Sequence, residues 1–229
     1  MELVSWNCQN GLTEEKADAI LKEYPDADIF AIQECRRTDI DAFKIDWKYK
    51  NWYGDDQDKN SDLGLAVFSK NYKMEYTDFF NRNFRYVVPY KVIVNNKALF
   101  LLNIWTKSIM GGAFDYDENV TQAVSYYKDL LNADTIIIGD YNTFAKQDNG
   151  RLEELENNMN PLINCTKNTK FRETVTFYHN EANGFGINDF CFASENLFAN
   201  MKAIKIETHE KNRWRNLSDH CPIMVEVNF

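Results

Sequence analysis

The stretch Thr135-Ile136-Ile137-Ile138-Gly139-Asp140-Tyr141-Asn142 decides how this chain is read. Its β-branched half reads as a buried strand. Its polar half stands where that strand would leave the core, and such strand ends are where α/β proteins build sites. Three more stretches repeat the pattern. Leu3-Val4-Ser5 runs into Trp6-Asn7, Ile29-Phe30-Ala31-Ile32 runs into Gln33-Glu34, and Ser218-Asp219-His220 precedes Cys221-Pro222-Ile223-Met224-Val225. Any one alone is an ordinary strand end; together they describe polar residues collected from several strands.

Working outward, further strands are expected at Leu65–Phe68, Val87–Val94, Ala98–Trp105, Asp189–Phe192, Ala203–Ile206 and Ile223–Val227. Val87–Val94 and Ala98–Trp105 are joined by Asn95-Asn96-Lys97, a hairpin signal because Asn tolerates positive φ. Glu14–Tyr24 places Ala17, Ile20, Leu21 and Tyr24 on one helical face, with Thr13 as N-cap and Pro25 as the stop. Asn119–Leu131 and Arg151–Met159 also carry helical spacing. Strands and helices in mixed order fit an α/β or α+β class.

Bulk properties bound the function. At 229 residues the chain is expected to form one domain, 1–229, and its 44% hydrophobic share with 16 Phe suffices for a sizeable core. No run reaches the ~18 apolar residues of a membrane span, and the N-terminus has neither the basic nor the long apolar region of a signal peptide. Five Cys without C-x-x-C spacing argue against a disulfide framework or zinc knuckle, so a cytoplasmic location is expected. The net charge is −9, whereas a protein that grips duplex DNA by its phosphates usually shows a basic face. Clustering of Glu34, Asp140, Asp189 and Asp219 around a cation would account for part of that charge, and the remaining residues still sum to −5.

In this order, and with Asn188-Asp189-Phe190, the four stretches resemble the endonuclease/exonuclease/phosphatase superfamily, which includes deoxyribonuclease I, abasic-site endonucleases, inositol polyphosphate 5-phosphatases and neutral sphingomyelinases. The resemblance runs from Asn7 to Pro222. It implies a four-layer α/β/β/α sandwich of two packed mixed β-sheets, with catalytic residues gathered where strand ends of both sheets meet. It also implies a metal-dependent phosphoesterase that cleaves a phosphodiester or phosphomonoester by in-line attack of an activated water. The metal is expected to be Mg²⁺, with Mn²⁺ as the alternative. Glu34 is its expected main ligand, with Asn7 beside it and Asp219 assisting.

The residue types suit that chemistry. Phosphoester hydrolysis needs a cation to spread charge, an oriented water and a donor to the phosphoryl oxygens. Asp140 and Asn142, two apart in an extended segment, share a face. Asp140 can take a proton from water while Asn142 donates to a phosphate oxygen. His220 can carry a proton near neutral pH, and Asp189 would fix its tautomer. Whether Asp140 or His220 is the proton acceptor is open at this level. His179 and His209 lack such a setting and read as surface or structural. Cys8, Cys35 and Cys221 each follow a motif residue; alternation along a strand turns them away from the site and into the core.

The substrate is less legible. Many abasic-site endonucleases have a Tyr, and many phosphatases a His, where this chain has Trp105, whose indole donates one hydrogen bond and exchanges no proton. Gln9, on the face of Asn7, is neutral where related nucleases often carry an acid, which weakens the case for a second cation. Lys211-Asn212-Arg213-Trp214-Arg215 and Arg82 with Phe84-Arg85-Tyr86 interleave cations and aromatics, a pattern that holds phosphates and stacks bases. Trp105, Arg213 and Arg215 are the expected substrate contacts. The partner is then a phosphorylated substrate, either a small molecule or lipid headgroup or a nucleic acid cut by an endonuclease or exonuclease. No obligate protein partner is evident. A non-catalytic binding domain on the same fold is the remaining alternative, opposed by the presence of every key acid and the His.

Overall fold

The computed structural model describes residues 1–44, 47–54, 62–84, 86–107, 115–142, 151–167, 175–180, 184–207 and 213–229. A first six-stranded sheet contains β1 (Glu2–Asn7), β2 (Ile29–Arg36), β3 (Tyr49–Gly54), β4 (Leu63–Ser69), β13 (Met201–Ile206) and β14 (Ile223–Val227), in the order β13-β14-β1-β2-β4-β3. A second contains β5 (Lys73–Tyr76), β6 (Val87–Val94), β7 (Lys97–Trp105), β8 (Thr135–Asp140), β9 (Ile163–Asn164) and β12 (Asp189–Ala193), in the order β5-β6-β7-β8-β12-β9. A separate ribbon pairs β10 (Phe177–Asn180) with β11 (Gly184–Gly186).

Both large sheets are mixed. β1 runs parallel to β2, and β7 parallel to β8; their other pairings are antiparallel. Parallel neighbours need a crossover. Helix α1 (Glu14–Glu23) supplies it in the first sheet, and α2 (Asp115–Tyr126) with α3 (Lys128–Leu131) in the second. Each crossover covers an outer face. Strand alternation then feeds three cores. Leu3, Ile29, Ala31, Leu101, Ile136 and Ile138 meet between the sheets. Val4, Trp6, Phe30 and Ile32 face Ala17 and Ile20 of α1. Leu102, Ile104 and Ile137 face Val120, Val124 and Leu131. The result is the α/β/β/α sandwich.

Local chemistry explains the joints. Thr13 caps α1 by accepting from the Lys16 amide, and the helix ends at Tyr24 before Pro25. Asn95 and Asn96 form a two-residue turn with φ of 49° and 63° between paired Val94 and Lys97, the left-handed pair that matches strand twist. Asn119–Leu131 is two helices, broken at Tyr127 (φ −86°, ψ 12°). Gly139 has φ +144°, and a Cβ there would stand 2.0 Å from the Ile104 carbonyl oxygen. Only glycine lets β8 pass so close to β7 immediately before Asp140.

Candidate active site

The C-terminal ends of β1, β2 and β8, the start of β12 and the segment before β14 converge, and each brings one polar group. Asn7 ends β1 and is fully buried. Its Nδ2 donates to Glu34 Oε1 at 3.1 Å and to Asp140 Oδ2 at 2.9 Å. Its Oδ1 accepts from the Gln9 amide at 3.0 Å. Asn7 therefore links the two sheets' carboxylates through its nitrogen.

Glu34 reaches the site because β2 bulges there. Gln33 pairs with Leu65 and Cys35 with Gly64, leaving Glu34 as the extra residue, at φ +57°. A non-glycine residue in that region costs about 1–2 kcal/mol, and bulges of this kind re-aim side chains. Glu34 Oε2 accepts from the Asn10 amide at 2.9 Å.

Asp140 is 1% exposed. Its Oδ1 accepts from the Asn142 amide at 2.8 Å, and its Oδ2 from Asn142 Nδ2 at 3.1 Å. Asn142, at φ +50°, also donates to the Thr106 carbonyl at 2.7 Å. Asp189 stands opposite Asp140 in the β8–β12 register. His220 Nδ1 lies 2.9 Å from Asp189 Oδ2, while its Nε2 lies 3.8 Å from Asp140 and 3.9 Å from Asp219. The His220 backbone is fixed by Trp6 Nε1 donating to its carbonyl and by Ser218 Oγ, which accepts from its amide and donates to the Asn7 carbonyl.

The electrostatics follow from burial and proximity. Burial pulls the His220 imidazolium toward neutrality, but Asp189 and Asp140 outweigh it and raise the group to about 10. Burial raises Asp140 to about 7, with His220 pulling it down and Asp189 pushing it up. Asp219 is also raised, by burial first and in part by the charge of Glu34. At neutral pH the imidazole is thus a cation ringed by carboxylates.

Of the expected substrate contacts, Trp105 is beside Asp140 in register but its ring packs between the sheets, 4.7 Å from the Tyr86 ring. Arg213 is turned to α1, donating to Glu23 at 2.8 Å and to the Ala19 carbonyl at 2.6 Å. Arg215 is exposed, 3.9 Å above the Tyr178 ring, and the Tyr178 amide donates to the Asp219 carbonyl. Arg85, Lys211, Asn212, His209 and the side chain of His179 lie outside the described residues. Cys8, Cys35 and Cys221 are buried on the α1 side of the first sheet, away from the site as expected; for Cys35 it is the bulge at Glu34 that sets this side.

Several supporting residues were given no role of their own by the sequence, although Gln33 and Ser218 lie within the polar stretches that carry the site. Gln33 Nε2 donates to Ser5 Oγ at 3.0 Å and across the sheets to Asn103 Oδ1 at 2.7 Å, and Asn103 Nδ2 donates to the Ala66 carbonyl. Thr176 Oγ1 accepts from the Asn188 and Asp189 amides. Ser218 could have been found from the Ser-x-His spacing, which suits a side chain bonded two residues on.

Residues 4–220 match the model of the Endonuclease/Exonuclease/phosphatase family. The chain belongs to that family, and its chemistry is phosphoester hydrolysis. Solved structures agree on the fold. The 3′-5′ exonuclease of Neisseria meningitidis superposes with a TM-score of 0.72 at 15% identity, over 100% of each chain. D. rerio TDP2, complexed with single-strand DNA product, gives 0.74 at 12% identity over 100% of this chain and 99% of its own. An AP endonuclease from Archaeoglobus fulgidus gives 0.69 at 13% identity over 100% of each. No curated protein matches the chain by sequence.

A divalent cation fits the donors present. Asp140, Asp189 and His220 have ligand atoms within 4.8 Å of one another, so this group could hold a metal. Its atoms are, however, already bonded among themselves and to Asn7 and Asn142. Glu34 and Asp219 add two carboxylates whose mutual repulsion a cation would relieve. Oxygen donors of this kind suit a hard cation.

Proposed function

We propose that residues 1–229 form one catalytic domain, a Mg²⁺-dependent phosphoesterase that cleaves a phosphodiester or phosphomonoester with an activated water. The reading is carried by one observation: His220 is held between Asp189, at 2.9 Å, and Asp140, at 3.8 Å. A buried imidazole kept cationic up to about 10 is a donor, not a base, at neutral pH. His220 therefore binds a phosphoryl oxygen through Nε2–H, and Asp189 orients the ring. Asp140, raised to about 7, accepts the proton of the attacking water. Asn142 and Asn7 hold the Asp140 carboxylate in place. When bound at Glu34 and Asp219, a divalent cation supplies Lewis-acid stabilisation of the developing charge. Mn²⁺ would serve the same donors.

The decisive experiment is hydrolysis of bis-p-nitrophenyl phosphate and p-nitrophenyl phosphate with Mg²⁺, with and without chelator, by the wild type and Asp140→Asn. Activity that needs both the metal and Asp140 supports the reading; hydrolysis indifferent to either sinks it.

A nucleic-acid substrate, as for an endonuclease or exonuclease, is favoured by a cleft of about 420 Å³ on the β3 edge. Arg37, Lys50 and Arg82 line it with Trp52, Tyr53 and Tyr76. Trp52 Nε1 donates to the carbonyl of Cys35, one residue from Glu34, which ties one wall of the cleft to the strand that carries Glu34. Cations next to aromatic rings suit a single strand. Faster cleavage of a short single-stranded oligonucleotide than of either small ester, lost in Trp52→Ala, would favour it; equal rates would return the small phosphoester to first place.

A further inference from the structure

Immediately after Asn7 the chain makes a tight loop. Gln9, Asn10 and Gly11 have φ of 48°, 59° and 109°, three consecutive left-handed residues. Such a run gathers its carbonyls on one side and its amides on the other. The amide side faces the site: Gln9 N–H reaches Asn7 Oδ1 at 3.0 Å, and Asn10 N–H reaches Glu34 Oε2 at 2.9 Å. The Gln9 side chain adds a third tie, accepting from the Asp219 amide at 3.2 Å. One loop thus contacts Asn7, Glu34 and Asp219.

Three of the four loop carbonyls converge on a single atom, while the fourth, that of Asn10, accepts from Arg36 Nη1. Lys16 Nζ, reaching back from the first turns of α1, lies 2.5 Å from the Cys8 oxygen, 2.6 Å from that of Gln9 and 3.1 Å from that of Gly11. An ammonium has three donors and no acceptor, so three carbonyls saturate it. Its charge also offsets the repulsion among carbonyl dipoles aimed at one point. No ion pair to a carboxylate competes for it among the described residues. Arg would not substitute, since its planar fork cannot meet three carbonyls at a point.

We propose that Lys16 is a positioning residue of the active site: it shapes the Cys8–Gly11 loop and thereby holds Glu34 and Asp219 for the cation. Without the ammonium, the carbonyls repel, the left-handed run relaxes and the Asn10 amide leaves Glu34. Lys16 touches neither substrate nor metal, so its loss acts through the loop. Its catalytic consequence rests on the proposed phosphoesterase reading; its structural consequence does not.

The test uses Lys16→Met, which keeps the length of the side chain, and Lys16→Ala, which opens the space beside the three carbonyls. Lys22→Met, at an exposed position of the same helix, is the control. In the metal-free protein, amide hydrogen exchange at Gln9 and Asn10 should speed up at least about tenfold in Lys16→Met, beyond any change in global stability. Mn²⁺ or Mg²⁺ affinity by calorimetry should fall about 10–100-fold, the usual effect of losing support to a ligand. Propylammonium should restore both readouts in Lys16→Ala, whereas tetramethylammonium at equal ionic strength should not. Unchanged exchange at Gln9 and Asn10 in Lys16→Met, or rescue by both cations alike, overturns the proposal. Changed exchange in a protein that hydrolyses no phosphoester would retire the phosphoesterase reading and leave the Lys16 assignment standing.

Discussion

At the scale of single residues, the proposed function turns on His220 and its two acids. Protonated below about 10, His220 donates through Nε2; deprotonated, it cannot. kcat/KM should therefore hold on the alkaline side and fall as pH rises through about 10. In Asp189→Asn the acid facing Nδ1 at 2.9 Å is gone, so the alkaline limb should move to lower pH. Asp140 must be ionised to accept a proton, so the rate should rise as pH passes its folded value of about 7, and a nearby bound cation would shift that limb downward. An unmoved alkaline limb in Asp189→Asn would show that Asp189 does not set the charge on His220. His220→Ala should cost on the order of 10²–10⁴ in rate, and the double variant should be little worse than His220→Ala alone, since residues acting as one unit are non-additive. Additive losses would make the pair structural. The residues that converge were largely legible in the sequence, because carboxylates, amides and an imidazole that each abut an apolar run have few joint structural uses, whereas any one alone is an ordinary strand end. Lys16 was not legible. A lysine in the first turns of an amphipathic helix reads as a solvated face, and only the backbone of Gln9–Gly11 shows what it holds. Arg213 misled in the opposite sense: its place before Ser218 suggested substrate, whereas its guanidinium serves α1.

At the scale of elements, the site depends on the two sheets keeping register across their interface. Gln33, Ser5 and Asn103 are buried there and tie β2 to β1 and β7. Gln33 is also the residue before the bulge that throws out Glu34. Gln33→Leu leaves Asn103 Oδ1 buried without its donor and should cost about 1–3 kcal/mol in urea unfolding. The double variant Gln33→Leu/Asn103→Leu should recover much of that stability, because an unmade hydrogen bond costs more than an absent pair. Activity should not recover with it, since the tether that aligns Glu34 with Asp140 is still missing. Recovery of both would show that apolar packing alone sets the alignment. The strands that carry the site were expected from their apolar runs, and the bounds at Val87–Val94 and Ile223–Val227 hold as expected. β3, β5, β9 and the β10–β11 ribbon were not expected. β3 and β5 are edge strands with half-buried or exposed polar positions, and β5 buries only Met74. β9 spans two residues, too few for any period to show.

At the scale of the whole molecule, charge limits what the site can grip. The net charge is −9, and several of the cations are already paired within the chain. Lys16 is bound to carbonyls, Lys205 to Glu23 and Glu207, Lys167 to Glu156 and Arg213 to Glu23. Lys50 is paired with Asp41 inside the β3-edge cleft, leaving Arg37 and Arg82 as that cleft's cations without an ion pair among the described residues. Duplex affinity grows with the number of phosphates neutralised, because each contact releases counterion. A cleft that offers two or three such contacts should bind long duplex DNA more weakly than about 10⁻⁶ M at about 0.15 M salt. A single strand can use the same few cations together with Trp52, so it should bind better than duplex of equal length. The slope of log K against log salt should be only about −1 to −2 for two or three contacts, at roughly −0.7 per contact. Fluorescence anisotropy of labelled single-stranded and duplex oligonucleotides across a salt series measures both quantities. Sub-micromolar, sequence-independent duplex binding at about 0.15 M salt, with a slope far steeper than that, would mean a basic face larger than the β3-edge cleft and would put a duplex-acting nuclease ahead of both the single-strand and the small-phosphoester readings.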